Sequence, residues 1–148
     1  GILTGLAKYT KRYVNLDVNL DLVTTEDITI RLVKKMEQRL QIHFSKDGIL
    51  MKGLLNHIGP MLERIKAGVL FHEDAISLIP AEYDYMYRAI KEIVDEDEIL
   101  RTLTENETVY LVIYFLGSIR RMQQEHYKNV AYLWIWIWDN SSRKRRAA

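Results

Sequence analysis

No cysteine occurs among the 148 residues, which excludes a disulfide scaffold, a thiol nucleophile, a cysteine-ligated zinc and an iron–sulfur centre. Glycine is scarce, at seven. No G-x-x-x-x-G-K-[ST] or G-x-G-x-x-G run is present, so there is no sequence for a backbone cradle around nucleotide phosphates. There is no long apolar run either. The longest, Val109–Gly117 and Val130–Trp138, have nine residues each, against the roughly 20 a helix needs to cross a bilayer, so no membrane insertion is expected. Neither sign of charge dominates: 21 Lys and Arg stand against 20 Asp and Glu. Four of the positives are Arg143, Lys144, Arg145 and Arg146. Without them, 17 positives face 20 negatives, a net −3 for residues 1–142. A domain that itself binds nucleic acid should be basic, so direct binding by this segment is not expected. The chain opens on Gly1 rather than methionine and reads as a piece of a longer protein, with Gly1 a tag scar.

What is present is hydrophobic sequence, 48% of the chain, enough for one domain with a buried core. With only two prolines, its periodicity is that of an all-α protein, a compact bundle of about five helices. Residues 1–14 carry Ile2, Leu3, Leu6, Tyr9 and Tyr13 at helical spacing, and 15–25 form a polar connector. Thr24, three residues before Asp27, predicts a capped helix start, followed by Ile28, Leu32, Met36 and Leu40. Ser45–Gly48 reads as a turn. A helix over 49–67 follows with Gly68 as its C-cap, and Pro60 is expected to bend or break it near Asn56–His57. Residues 69–79 are ambiguous. Pro80 opens a helix whose inner face holds Tyr83, Met86, Tyr87, Ile90, Ile93 and Val94. Thr104-x-x-Glu107 is a capping box in which the threonine and the glutamate each take an orphan amide, heading a helix that is apolar all round from Val109 to Leu116. Residues 129–138, with all three tryptophans, are rich in strand-favouring types and predict an extended tail. The expected division is 1–24 as an N-terminal helix and connector, 25–126 as the domain, and 127–148 as a tail or the start of a following module.

Chemistry is sparsely signalled. His43, His57, His72 and His126 form no H-E-x-x-H or H-x-x-x-H pair, so no metal site is expected. Asp95–Glu98 lacks the spacing of a calcium loop and reads as a solvated corner between helices. Ser118, in FLGSIR, lies inside a helix rather than on a nucleophile elbow. No convergent catalytic set exists, so an enzyme is not expected, nor any cofactor. His57 stands out by placement. It lies on an apolar helix face beside Pro60, with Gly53 one turn before it and Arg64 two turns after it on the same side.

The stretch Leu54–Gly68, LLNHIGPMLERIKAG, resembles the opening of a PTS regulation domain, the PRD of bacterial antiterminators and sugar-operon activators. There a histidine and an aliphatic residue are followed by Arg-aliphatic-Lys-x-Gly. Ile79–Tyr83, Thr104–Phe115 and Met36–Phe44 resemble further family segments in the same order, so the resemblance covers about 25–126. It implies a small helical bundle, usually a homodimer, within a cytoplasmic transcriptional regulator. Phosphocarrier proteins of the sugar phosphotransferase system, HPr or an EIIB component, phosphorylate its histidines, and dimer packing shifts in response. Nucleic acid is bound by other domains of such a regulator. On this reading His57 matches the family's first phosphorylated histidine and Arg64 the adjacent arginine, with Gly53 supporting the site. Tyr114 stands where a second reactive histidine is often found, and is expected to be buried, near His57 and structural. The His57 face with Gly53, Ile58 and Met61 is expected to be core or dimer interface. A non-phosphorylated helical dimerisation or interaction module is the alternative.

Overall fold

The computed structural model describes residues 9–11, 22–71 and 79–147. Four α-helices carry the fold: α1 (Thr25–Leu40), α2 (Gly48–Ala67), α3 (Asp84–Glu96) and α4 (Glu105–Ala147). Single 3-10 turns precede the last three, at Phe44–Lys46, Ala81–Tyr83 and Leu100–Thr102. The protein is all-α, with one small antiparallel ribbon of β1 (Tyr9–Lys11) on β2 (Val69–Phe71), Tyr9 opposite Phe71. The helix expected over 1–14 is thus replaced by a strand at 9–11, and its other residues lie outside the described ones. The connector at 15–21 and residues 72–78, with His72, lie outside them too.

Local chemistry accounts for the helix limits. Thr24 Oγ1 accepts from the Asp27 amide at 3.2 Å, and Asp27 Oδ2 accepts from the Thr24 amide, which closes the capping box on α1. Asp47 caps α2 by accepting from the Ile49 and Leu50 amides. Gly68, at φ 69°, ends it in the left-handed conformation and turns the chain into β2. Pro60 does not break α2, which runs unbroken through it. Asn56, whose carbonyl loses its amide partner to the proline, is exposed like Pro60 itself, so water can take the freed group.

The core is built from one stripe of each helix. Ile28, Leu32 and Met36 of α1, Leu50, Leu54, Ile58 and Met61 of α2, Met86, Ile90 and Ile93 of α3, and Leu111, Val112 and Phe115 of α4 are all buried. Phe44 meets Phe115 edge-on with centroids 5.0 Å apart. Helix α4 packs on both α2 and α3, as its apolar run predicted. Two buried polar residues tie elements together, and the first corrects the expected solvated corner. Asp97 is buried rather than solvated like its neighbours Asp95, Glu96 and Glu98. It accepts from the Ile99 and Leu100 amides and from Arg31 at 2.7 and 3.1 Å. Ser118 is buried and donates to Asp47 Oδ2 at 2.7 Å, beside Arg121 at 2.8 Å, tying the start of α2 to the middle of α4.

The largest correction is the tail. Residues 129–138 are helical, part of the continuous 43-residue α4. No proline or glycine follows Gly117, and a helix once nucleated gains one hydrogen bond per added residue. A lone strand there would leave its amides and carbonyls without partners, so the weak β preference of Trp and Ile yields.

Candidate functional site

His57 sits on the side of α2 that meets α4. Leu54, Ile58 and Met61 on the same helix point into the core and are fully buried, and His57 lies at the margin of that stripe, half-buried. Its ring lies beside two tyrosines of α4, with centroids 5.9 Å from Tyr110 and 5.3 Å from Tyr114. Tyr110 and Tyr114 are four apart, so they share a helix face one turn from each other. The sequence-predicted neighbours His57 and Tyr114 are therefore in contact. Tyr114 is half-buried rather than enclosed.

Gly53 belongs to the same contact. A Cβ built there would lie 2.9 Å from Tyr114 Cε1 and 3.0 Å from Cδ1. The glycine thus makes room for the tyrosine of its own chain. The expectation that the Gly53, Ile58 and Met61 face is core or interface resolves as core, because Ile58 and Met61 face inward and α4 covers Gly53.

Arg64 lies nearer the end of α2, where antiparallel α4 begins. Its Nε and NH2 reach Glu107 Oε1 at 2.8 and 2.6 Å. Glu107 is buried, its side chain only 3% exposed, while the Arg64 side chain keeps 24% of its surface. The Glu107 amide donates to Thr104 Oγ1 at 3.3 Å, the threonine arm of the expected capping box. The glutamate also anchors the arginine, a role its sequence position did not disclose.

The electrostatics follow from this packing. Burial, and after it the positive charge of Arg64, hold the His57 pKa below its usual 6.5. His57 Nε2 is sealed from solvent and has no hydrogen-bond partner, an uncommon state for a buried ring nitrogen. Burial pushes the Glu107 carboxyl up from its ordinary range, and Arg64 offsets this only in part. At neutral pH the arrangement favours a neutral imidazole that feels the Arg64 charge, while the guanidinium itself is held by Glu107.

The other histidines are not gathered here: His43 and His126 are exposed on the surface. No cluster of His, Asp or Glu among the described residues could hold a metal ion. Among those residues, no helix is long and apolar enough to cross a membrane.

The PRD domain family matches residues 30–118. Two curated relatives come from Bacillus subtilis (strain 168). "Transcriptional regulator ManR" is 25% identical over 126 residues, covering 82% of this chain and 19% of its own. "Probable licABCH operon regulator" is 26% identical over 103 residues, covering 68% of this chain and 16% of its own. The chain therefore spans less than a fifth of the length of either relative. No solved structure matches it.

Proposed function

The chain belongs to the PRD domain family, and on that premise we propose that it is the signal-input segment of a bacterial transcriptional regulator, switched by phosphorylation of His57. The donor is a phosphohistidine carrier of the sugar phosphotransferase system, HPr or an EIIB component. The segment is regulatory rather than catalytic, needs no cofactor or metal, and works in the cytoplasm. DNA or RNA is bound by other parts of the regulator. Both relatives bear the names of regulators, and each is far longer than this chain, which leaves room for such parts.

The observation that carries this reading is the state of His57: an imidazole kept neutral by burial and by Arg64, with one ring nitrogen sealed and unpaired against α4. In the proposed step the lone pair of a His57 ring nitrogen attacks the phosphorus of the carrier's phosphohistidine. A new N–P bond forms as the carrier's N–P bond breaks, and that bonding pair returns to the carrier's imidazole. Each ring keeps the proton on its other nitrogen, so none is exchanged. Attack through Nε2 requires the ring to turn out from beside Tyr110 and Tyr114. Tyr114 itself is structural: a phenol does not accept the phosphoryl group as an imidazole does.

The product places a charge of about −2 and three acceptor oxygens beside Arg64. Arg64 already holds Glu107, so the phosphate competes for the guanidinium that ties the start of α4 to the end of α2. Drawing Arg64 away leaves Glu107 buried without its cation, which favours loosening of that helix pair. In a homodimer with two packings a few kcal/mol apart, such a local change is enough to shift the population.

Incubation with labelled phosphoenolpyruvate and the general phosphotransferase proteins tests the proposal. Acid-labile label is expected on the wild type and not on His57→Ala. Absence of label on a folded wild type would leave the alternative, an interaction module in which His57 only packs.

A further inference from the structure

The seam between α2 and antiparallel α4 carries a polar lock at each end. At the start of α2, Asp47 is the hub. Its Oδ1 accepts from the Ile49 and Leu50 amides at 3.1 and 3.2 Å, and its Oδ2 accepts from Ser118 Oγ at 2.7 Å and from Arg121 NH2 at 2.8 Å. The aromatic contacts come next, Gly53 under Tyr114 and His57 beside Tyr114 and Tyr110. Arg64 and Glu107 close the other end. The two locks are unequal. Burial alone would raise the Asp47 pKa, yet the bonds from Ser118, Arg121 and Leu50 outweigh it and hold the carboxyl below its ordinary range. At Glu107 burial outweighs Arg64, and the carboxyl stays above its own. Loss of any one donor leaves Asp47 several others, whereas loss of Arg64 takes from Glu107 the cation that holds it.

We propose that α2 is a lever hinged at Asp47: the Arg64–Glu107 lock opens while the Asp47 hub stays closed, and the freed end carries the β1–β2 ribbon with it. The trigger rests on the reading of His57 as the phosphorylated residue; the hinge rests on the two locks. His57 lies seven residues from Arg64, about 10 Å along the helix axis, and ten residues from Asp47, about 15 Å. Arg64 already acts on the His57 ring through its charge, so a group of about −2 on that ring competes with Glu107 for the same guanidinium. Asp47 is farther off, is itself an anion and is held from both helices. The moving end is also the end that leads out of the helix. The Gly68 amide donates to the Arg64 and Ile65 carbonyls, and the chain then turns into β2, which pairs with β1. A shift of the last turn of α2 is therefore passed to Tyr9–Lys11, at the other side of the ribbon.

Amide hydrogen exchange of the 148-residue chain, read by mass spectrometry, is the test. Three forms are compared: the wild type, the wild type phosphorylated by the carrier proteins, and Arg64→Met, which opens the lock with no phosphate present. Arg64→Met is expected to speed exchange by about tenfold or more in residues 62–71 and 107–111, and by less than about twofold in 49–53 and 115–121. The phosphorylated chain is expected to show the same map. If Arg64→Met does not fold, Arg64→Lys, which keeps the charge and loses the fork of donors, is read in its place. Exchange that rises equally at both ends of the seam, at the Asp47 end alone, or at neither end overturns the hinge. So does faster exchange in 62–68 that leaves 69–71 unchanged, since the ribbon would then not follow the lever. If the chain accepts no phosphoryl group, it is the trigger that fails, and the map of the Arg64 variant still decides the hinge.

Discussion

Gly53→Ala probes the contact on which the site rests. As a helix substitution it should be favourable, since alanine gains about 0.5–1 kcal/mol over glycine in a helix interior. Here the added methyl would meet Tyr114 ring carbons at 2.9 and 3.0 Å, inside the roughly 3.5–4.0 Å optimum for carbon pairs. The ring cannot back away freely, because it packs on His57 with centroids 5.3 Å apart. Overpacking of this kind costs about 1–3 kcal/mol, so the net loss of stability should be about 1 kcal/mol. Removing the ring reverses the sign: in a Tyr114→Ala background, Gly53→Ala should stabilise by about 0.5–1 kcal/mol. The coupling across the cycle is then about 2 kcal/mol. Urea unfolding of the four proteins, read from midpoints at constant slope, measures it. If Gly53→Ala stabilises equally with and without the tyrosine, the ring does not lie over residue 53 and the geometry around His57 is wrong.

Three further perturbations address the charges. Arg64→Met leaves the buried Glu107 without its cation and should cost about 2–3 kcal/mol at neutral pH, the low end for a broken buried pair because Arg64 keeps some solvent contact. Glu107 already has a raised pKa; a carboxyl of that kind loses stability as pH rises through its folded pKa, so urea midpoints should show the deficit shrinking as pH falls toward 4.5. His57, with its pKa depressed from 6.5, makes the opposite contribution: the unfolded chain takes up the proton first, so stability declines as pH falls below about 6.5. His57→Gln should flatten that part of the stability profile between about pH 7 and 5, and parallel wild-type and variant profiles would contradict the depressed pKa. Asp47→Ala removes a helix cap together with the acceptor for Ser118 and Arg121 and should cost about 3 kcal/mol; Asp47→Asn, which keeps a capping oxygen, should cost about 1 kcal/mol, both read by thermal or urea unfolding.

Much of the fold could be read from residue spacing because local rules act there. Thr24 with Asp27, Gly68, and the four-residue repeat from Ile28 to Leu40 each specify a helix feature within a few positions. The errors arose where distant or global terms decide. Pro60 alone predicts a bend or a break; the helix continues through it because the exposed Asn56 lets the freed carbonyl reach water. The tryptophan segment has β propensity, but a strand needs a partner and a helix already under way does not. Asp97 looks like its acidic neighbours because nothing in the local sequence points to Arg31, 66 positions earlier. At the site, the family resemblance puts Tyr114 near His57, and the two rings meet with centroids 5.3 Å apart; the space beside Gly53 is what admits the tyrosine. Glu107 was visible only as a capping residue, since its ion pair with Arg64 depends on how α2 and α4 align.

Whether His57 accepts a phosphoryl group is decided by intact-mass spectrometry at neutral pH after incubation with phosphoenolpyruvate and the phosphotransferase proteins. The expected spectrum shows one added phosphoryl group per chain, mapped by fragmentation to His57 and lost in His57→Ala. An unmodified chain under conditions where the carriers themselves are phosphorylated, or a phosphoryl group on His43, His72 or His126 that survives His57→Ala, would contradict it.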